Sequence, residues 1–134
     1  MKIIGNGVDI VRNKRIEKSL KIDGFKKRIF TKYEITNSKK IKNKINYFAK
    51  RFAAKEAFVK AIGTGFRQSI NFNDIEIKNN KQGKPLINLS ENIKSILKIK
   101  FNIKKYKIFL SLSDEKNYSI AYVIFNKIKW LKNL

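Results

Sequence analysis

Two acidic residues lie in apolar surroundings, in a chain that has only 10 Asp and Glu against 32 Lys and Arg. Asp9 follows Gly5, Asn6 and Gly7 in the apolar segment that opens the chain, and Glu56 lies among alanines. Either carboxylate could simply form an ion pair with a nearby cation, as structural networks commonly do. The chemical interpretation is that the two carboxylates hold a hard metal ion such as Mg²⁺.

The position of a lysine favours the chemical interpretation. Glu56 and Lys60 are four residues apart and are therefore neighbours on one face of a helix. Ala53 and Ala57 leave space beside them, where larger side chains would fill it. An ammonium group next to a metal neutralises the remaining charge of a bound phosphate. Together with Asp9, the pattern predicts a phosphate-and-magnesium site.

The residue types that are missing narrow the chemistry further. The chain has no cysteine, which excludes disulfides and thiolate zinc sites. It has no histidine, which removes the usual base at neutral pH. Carboxylates, lysines, hydroxyls and an oxygen-bound metal remain as the groups that could carry a reaction.

The net charge of +22 is compatible with an anionic partner. Genome composition is an equal explanation, because the chain is rich in Lys, Asn and Ile, whose codons are rich in A and T. A nucleic-acid-binding protein is the main alternative, but it predicts basic residues gathered on one face. The lysines are instead spread along the chain, so we expect no nucleic-acid partner.

No apolar run reaches the roughly 20 residues that span a bilayer, and the first residues lack the pattern of a signal peptide. We therefore expect a cytoplasmic protein without a membrane partner. The segment 127–132 is basic and amphipathic, but it is too short to bind a membrane alone, and we assign no site to it.

The elements that position these residues fit one domain over residues 1–134. Helices and strands are mixed without regular alternation, which predicts an α+β fold with a mainly antiparallel sheet and a long central helix. The predicted elements are a largely buried strand over 2–11, a helix over 12–22, a short helix with a capping box at Thr31 and Glu34, a helix over 41–62 ended by Gly63, strands over 72–77 and 85–89, a helix capped by Ser90, and strands over 107–113 and 118–126 around a turn at 114–117.

Several motifs follow one another in a particular order. The most specific is the run from Phe48 to Gly65, FAKRFAAKEAFVKAIGTG. The others are 5–11 (GNGVDIV), Arg15 with Ile16, 28–34 (RIFTKYE), 74–77 (DIEI), 83–85 (GKP) and 111–113 (SLS). In this order they resemble the holo-[acyl-carrier-protein] synthase family of 4′-phosphopantetheinyl transferases over nearly the whole chain.

The resemblance implies a fold, a reaction and a set of roles. The reaction is transfer of 4′-phosphopantetheine from coenzyme A to a serine of an acidic acyl carrier protein, for fatty acid biosynthesis, with release of adenosine 3′,5′-bisphosphate. Asp9 and Glu56 would hold Mg²⁺, and Lys60 would contact phosphate. The serine proton would pass to Asp9 or to a metal-bound water.

The resemblance also implies further contacts and an assembly. The coenzyme A phosphates would be contacted by Arg51, Lys84 and Ser113 in addition to Lys60. The carrier protein would meet the first helix around Arg15. Family members form homotrimers with active sites at the subunit interfaces.

One residue departs from the family pattern. Asp114 stands where the family usually has a histidine, and an aspartate would repel a nearby phosphate unless a lysine pairs with it. A relative that has lost turnover is therefore one alternative, although Asp9, Glu56 and Lys60 are retained. A transferase for larger synthase carrier domains is another, but those enzymes are typically about twice this length.

Overall fold

The computed structural model describes residues 1–67 and 69–129. Five strands and five α-helices make up the described part, with a short 3₁₀ turn over Phe72–Asp74 before the second strand. The elements are β1 (Lys2–Arg12), α1 (Asn13–Leu20), α2 (Phe25–Ile29), α3 (Lys32–Ser38), α4 (Lys44–Ile62), β2 (Ile75–Asn79), β3 (Pro85–Leu89), α5 (Glu91–Phe101), β4 (Tyr106–Asp114) and β5 (Tyr118–Lys127).

The strands form two antiparallel sheets. The larger sheet has the order β1-β5-β4, and β2 and β3 form a separate hairpin. In the larger sheet Asp9 lies opposite Ala121, and Leu112 lies opposite Ala121 on the other side. The predicted α+β fold with a mainly antiparallel sheet and a long central helix is therefore confirmed.

The helix α4 forms the centre of the core. It begins after Asn43, whose side chain accepts a hydrogen bond from Asn46 N at 3.1 Å, and it ends at Gly63 in the left-handed conformation. Apolar side chains surround it on most sides, so it is buried rather than amphipathic. It packs on the inner face of the larger sheet, where the Phe58 and Phe125 rings meet edge to face at 5.9 Å.

The first strand differs from its prediction in burial. Residues 2–11 do form a strand, but only Gly7 and Val11 are buried. Side chains of a strand alternate between its two faces, and only one face of β1 rests on α4. The other face is open, which leaves Ile10 59% exposed.

Other boundaries shift for local reasons. The helix predicted over 41–62 begins only at Lys44, because Asn43 caps it. The strand predicted over 72–77 begins only at Ile75, because Asp74 accepts a hydrogen bond from Asn71 N at 2.9 Å and closes a turn. Asp114, predicted to open a turn, is the last residue of β4 and pairs with Ser119. The short helix α2, which no pattern predicted, precedes the capping box at Thr31.

Across the described ranges, no helix is both long enough and apolar enough to cross a membrane. Residues 130–132 of the basic C-terminal segment lie outside the described part of the chain.

Candidate functional site

Glycines on β1 bring the first strand against α4. A Cβ atom on Gly5 would collide with the Ala61 carbonyl, and one on Gly7 would collide with the Ala57 carbonyl. Because alternate residues share a face, Asp9 points the same way as these glycines. The close approach therefore sets Asp9 beside the last two turns of α4.

Asp9, Glu56 and Lys60 meet at this contact, as the sequence predicted. The Lys60 ammonium donates to Asp9 Oδ1 at 3.1 Å and to the Val8 carbonyl at 3.0 Å. The Asp9 side chain is only 16% exposed, whereas that of Lys60 is 52% exposed. The cluster is thus anchored inside the fold and opens to solvent at the lysine.

The charge of Asp9 acts on the neighbouring Glu56 carboxyl. Burial, and after it the charge of Asp9, raises the pKa of the Glu56 carboxyl above its usual value. The positive charges of Lys60 and Arg15 act in the opposite direction without cancelling the effect. Two carboxylates in this situation gain from a bound cation, so the residues fit a magnesium ion.

The cation would take only two ligands from this cluster. Within the described residues, no group of three or more acidic side chains is close enough to share a metal. Mg²⁺ in proteins commonly uses one or two carboxylates and fills its other positions with water and substrate phosphates. The arrangement therefore suits a metal that binds together with a phosphorylated substrate.

Arg15 lies on α1, close enough to the cluster to influence Glu56. With Arg12, Lys14 and Lys18 it lines a concavity of about 520 Å³ on the surface of α1. The described lining contains no acidic residue. This surface could therefore receive an acidic partner next to the carboxylate cluster.

Arg51 occupies a second, separate place on α4. It is 6% exposed, and its guanidinium lies on the Tyr47 ring at 3.6 Å from the centroid. It donates to the Tyr47 carbonyl at 3.2 Å and to Asn79 Oδ1 at 2.8 Å, while its Nε atom has no partner. Burial lowers the pKa of the guanidinium, so the charged form would gain from a bound anion.

Two concavities meet at Arg51. One of about 500 Å³ extends along α3 and α4, and one of about 420 Å³ extends towards β3 and β4. Lys84 lines the second concavity, so the structure brings Arg51 and Lys84 together. Ser113 lines neither of them in the described part of the chain and points to the outer face of the larger sheet.

The predicted site residues thus form two groups in one chain. Arg51 precedes Glu56 by five residues, which turns a helix by about 500° and leaves the side chains about 140° apart. Arg51 with Lys84 therefore faces away from Asp9 with Glu56 and Lys60.

Asp114 lies at the edge of the larger concavity and is paired. Asn46 Nδ2 donates to it at 2.8 Å, and the Lys50 ammonium lies at 3.2 Å. Partial burial would raise the pKa of the Asp114 carboxyl, but the hydrogen bonds from Asn46 and Lys50 outweigh it and lower the pKa. Asp114 therefore has a lysine partner, Lys50, which is the condition under which an aspartate at this position would not repel a phosphate.

Sequence reasoning missed a buried ion pair that holds the helices together. The capping box at Thr31 is confirmed, but Glu34 also accepts from the Lys55 ammonium at 2.7 Å and from Ile77 N at 2.7 Å. Both charged side chains are completely buried. A lysine among alanines in a buried helix was the available signal, since such a charge needs a partner.

The sequence of the chain matches a known family. The model of the 4′-phosphopantetheinyl transferase superfamily matches residues 5–123. A holo-[acyl-carrier-protein] synthase of Pelagibacter ubique is 58% identical over 127 residues, covering 95% of this chain and 99% of the relative. One of Ehrlichia chaffeensis is 50% identical, covering 91% and 95%.

Solved structures agree with these relatives. A holo-(acyl-carrier-protein) synthase of Bacillus anthracis, in complex with CoA (3′,5′-ADP), is 35% identical with a TM-score of 0.79, covering 96% of this chain and 100% of that one. The holo-[acyl-carrier-protein] synthase of Neisseria meningitidis is 37% identical with a TM-score of 0.82, covering 93% and 99%.

Proposed function

The chain belongs to the 4′-phosphopantetheinyl transferase superfamily, and from this membership we propose that it transfers 4′-phosphopantetheine from coenzyme A to a serine of apo acyl carrier protein. Adenosine 3′,5′-bisphosphate is the other product, and the holo carrier protein serves fatty acid biosynthesis. We place the reaction in the cytoplasm.

The observation that carries the proposal is the cluster of Asp9, Glu56 and Lys60. The Lys60 ammonium lies 3.1 Å from Asp9, and Glu56 has a raised pKa beside them. In phosphoryl transfer a protein acts mainly by positioning groups and stabilising charge. Two carboxylates that can hold a metal ion, together with an ammonium group, can position a pyrophosphate substrate and stabilise its charge.

Asp9 and Glu56 are the residues that would hold Mg²⁺. Held there, the ion would supply positive charge that offsets the negative charge of the pyrophosphate and of the leaving group. Lys60 would add a positive charge on the same side, because its half-exposed ammonium can reach a phosphate while it stays close to Asp9. Asp9 is the proton acceptor that the chain itself could offer to the attacking serine.

The nucleotide end of coenzyme A would bind at the second group of residues. Arg51 presents a buried guanidinium with an unpartnered Nε, and Lys84 lines the adjoining concavity. We include Ser113 among the phosphate contacts through its exposed hydroxyl. Because these residues face away from Asp9, we propose that one active site combines residues from two subunits.

A homotrimer would provide such a combination. The outer face of the larger sheet carries large apolar side chains that remain 38–59% exposed in the single chain: Val8, Ile10, Phe109, Ile120 and Tyr122. An apolar patch of this kind is characteristic of a subunit interface. Ser113 lies on the same face, so burial of this face would bring it close to a neighbouring subunit.

The carrier protein would dock on α1. Arg12, Lys14, Arg15 and Lys18 line one concavity, and Arg15 is near enough to Glu56 to affect its charge. A basic surface accelerates the encounter with an acidic protein in a salt-dependent manner. Docking there would place the carrier serine next to the carboxylate cluster.

The test is a transfer assay read by intact mass. The purified protein is incubated with coenzyme A, Mg²⁺ and apo acyl carrier protein, and the carrier is expected to gain the mass of one phosphopantetheine group. EDTA is expected to abolish the gain, and excess Mg²⁺ to restore it. An unchanged carrier mass with folded protein, across several apo carrier proteins, would refute the proposed function.

A further inference from the structure

Lys50 and Arg51 both line the two concavities that meet on α4. Arg51 is the buried cation of this pocket, and among the described residues no carboxylate lies within ion-pair distance of it. Its charge is therefore available to an anion. Lys50 is different, because its ammonium already has a carboxylate partner at the rim.

That partner is held firmly in place. Asp114 ends β4, and the turn that follows it is tied to two helices by asparagine side chains. Asn46 donates to the Glu115 carbonyl at 3.1 Å, and Asn13 donates to the same carbonyl at 2.9 Å. Asp114 itself accepts from Asn46 at 2.8 Å. The bonds to the Glu115 carbonyl fix the backbone beside Asp114, and the carboxylate cannot turn away from the pocket without loss of the hydrogen bond from Asn46.

A fixed carboxylate at the rim of an anion pocket would repel a phosphate. The Lys50 ammonium, 3.2 Å from Asp114 Oδ1, balances that charge and leaves Arg51 as the buried, uncompensated cation. We propose that Lys50 is a specificity-determining residue for the phosphate-bearing nucleotide end of coenzyme A, because it neutralises Asp114. This inference rests on the proposed function, and it assigns to Lys50 a role that the motifs did not predict.

The proposal requires the two residues to act as a unit. Lys50→Met leaves an unpaired carboxylate at the rim and weakens phosphate binding. Asp114→Asn added to it removes that carboxylate and restores binding, although the double variant has fewer charged groups than the single one. Asp114→Asn alone adds net positive charge and does not weaken binding.

The experiment compares coenzyme A with dephospho-coenzyme A, which lacks the ribose 3′-phosphate. For Lys50→Met, KM for coenzyme A is expected to rise roughly tenfold, with kcat nearly unchanged, because a like charge acts on the bound phosphate. The double variant Lys50→Met/Asp114→Asn is expected to return KM to within about twofold of the original value. KM for dephospho-coenzyme A should be nearly the same in all variants.

Controls separate this effect from a general loss of charge or of stability. Lys98→Met removes a lysine from α5, away from the pocket. It should change neither the KM for coenzyme A nor the KM for dephospho-coenzyme A. Thermal melting of each variant checks the fold. If Lys50→Met and the double variant have the same KM, or if both substrates are affected alike, the inference is wrong.

Binding of adenosine 3′,5′-bisphosphate, measured by calorimetry, keeps the inference distinct from the proposed function. If the original protein transfers nothing, the proposed function fails, and the same variants are then compared by their Kd for this compound. Lys50→Met is expected to have a higher Kd than the original protein, and the double variant is expected to return close to the original Kd. Absence of binding to the original protein, or no change in Lys50→Met, overturns the inference.

Discussion

Gly7 packs directly against the Ala57 carbonyl, so that β1 and α4 touch backbone to backbone. This contact places Asp9, two residues further along the same strand face, beside Glu56 and Lys60. The candidate metal site thus depends on Gly7, a residue without a side chain, which allows the strand and the helix to approach each other.

Gly7→Ala is expected to destabilise the protein by about 3 kcal/mol, because the new methyl group has backbone atoms on its far side that cannot yield. Urea unfolding measures the loss. Ser95→Ala is the control, since Ser95 is exposed on α5, away from both the cluster and the outer face of the sheet. Equal stability of the two variants would mean that the contact is looser than the structure indicates.

Glu56→Gln is expected to lower kcat by roughly 100-fold or more, because the charge that would hold the metal is lost while the shape is kept. Calorimetry with Mg²⁺ should show weaker binding in the same variant. Glu91→Gln, at an exposed position on α5, serves as the control and should behave like the original protein. Full activity of Glu56→Gln would remove Glu56 from the metal site.

Lys55→Met is expected to cost about 3 to 5 kcal/mol of stability, because it leaves the Glu34 carboxylate buried without its cation. Adding Glu34→Gln removes the buried charge and should recover a large part of the loss. Chemical denaturation of both variants gives the comparison. A double variant no more stable than the single one would show that packing of the lysine stem, and not its charge, is what matters.

The contribution of Asp114 to stability should depend on pH. Its pKa is lower in the folded chain than in the unfolded one, so the carboxylate stabilises the fold above the unfolded pKa of about 3.9. This stabilisation is lost as the pH falls through the folded pKa. The difference in unfolding free energy between the original protein and Asp114→Asn should therefore shrink as the pH is lowered from about 6 to about 3. A difference independent of pH would contradict the pairing with Lys50.

Ile10→Asp is expected to convert the proposed homotrimer into monomers, because it places a charge on the apolar outer face of the sheet. Light scattering during gel filtration measures the mass. Ile99→Asp changes an isoleucine of α5 that is 78% exposed, and it should leave the assembly intact. If the original protein is already a monomer at micromolar concentration, the proposed trimer is wrong.

The sequence by itself determined the α+β class, the long helix that ends at Gly63 and the grouping of Asp9, Glu56 and Lys60. These features depend on local rules: Gly63 ends a helix, residues four apart share a helix face, and Asp9 follows the glycines on one strand face. Only the tertiary structure decided that β1 is open on one side, that Glu34 pairs with Lys55 and that Lys50 pairs with Asp114. These features join segments that are 21 or more residues apart, and burial and charge pairing between such segments depend on how the whole chain packs.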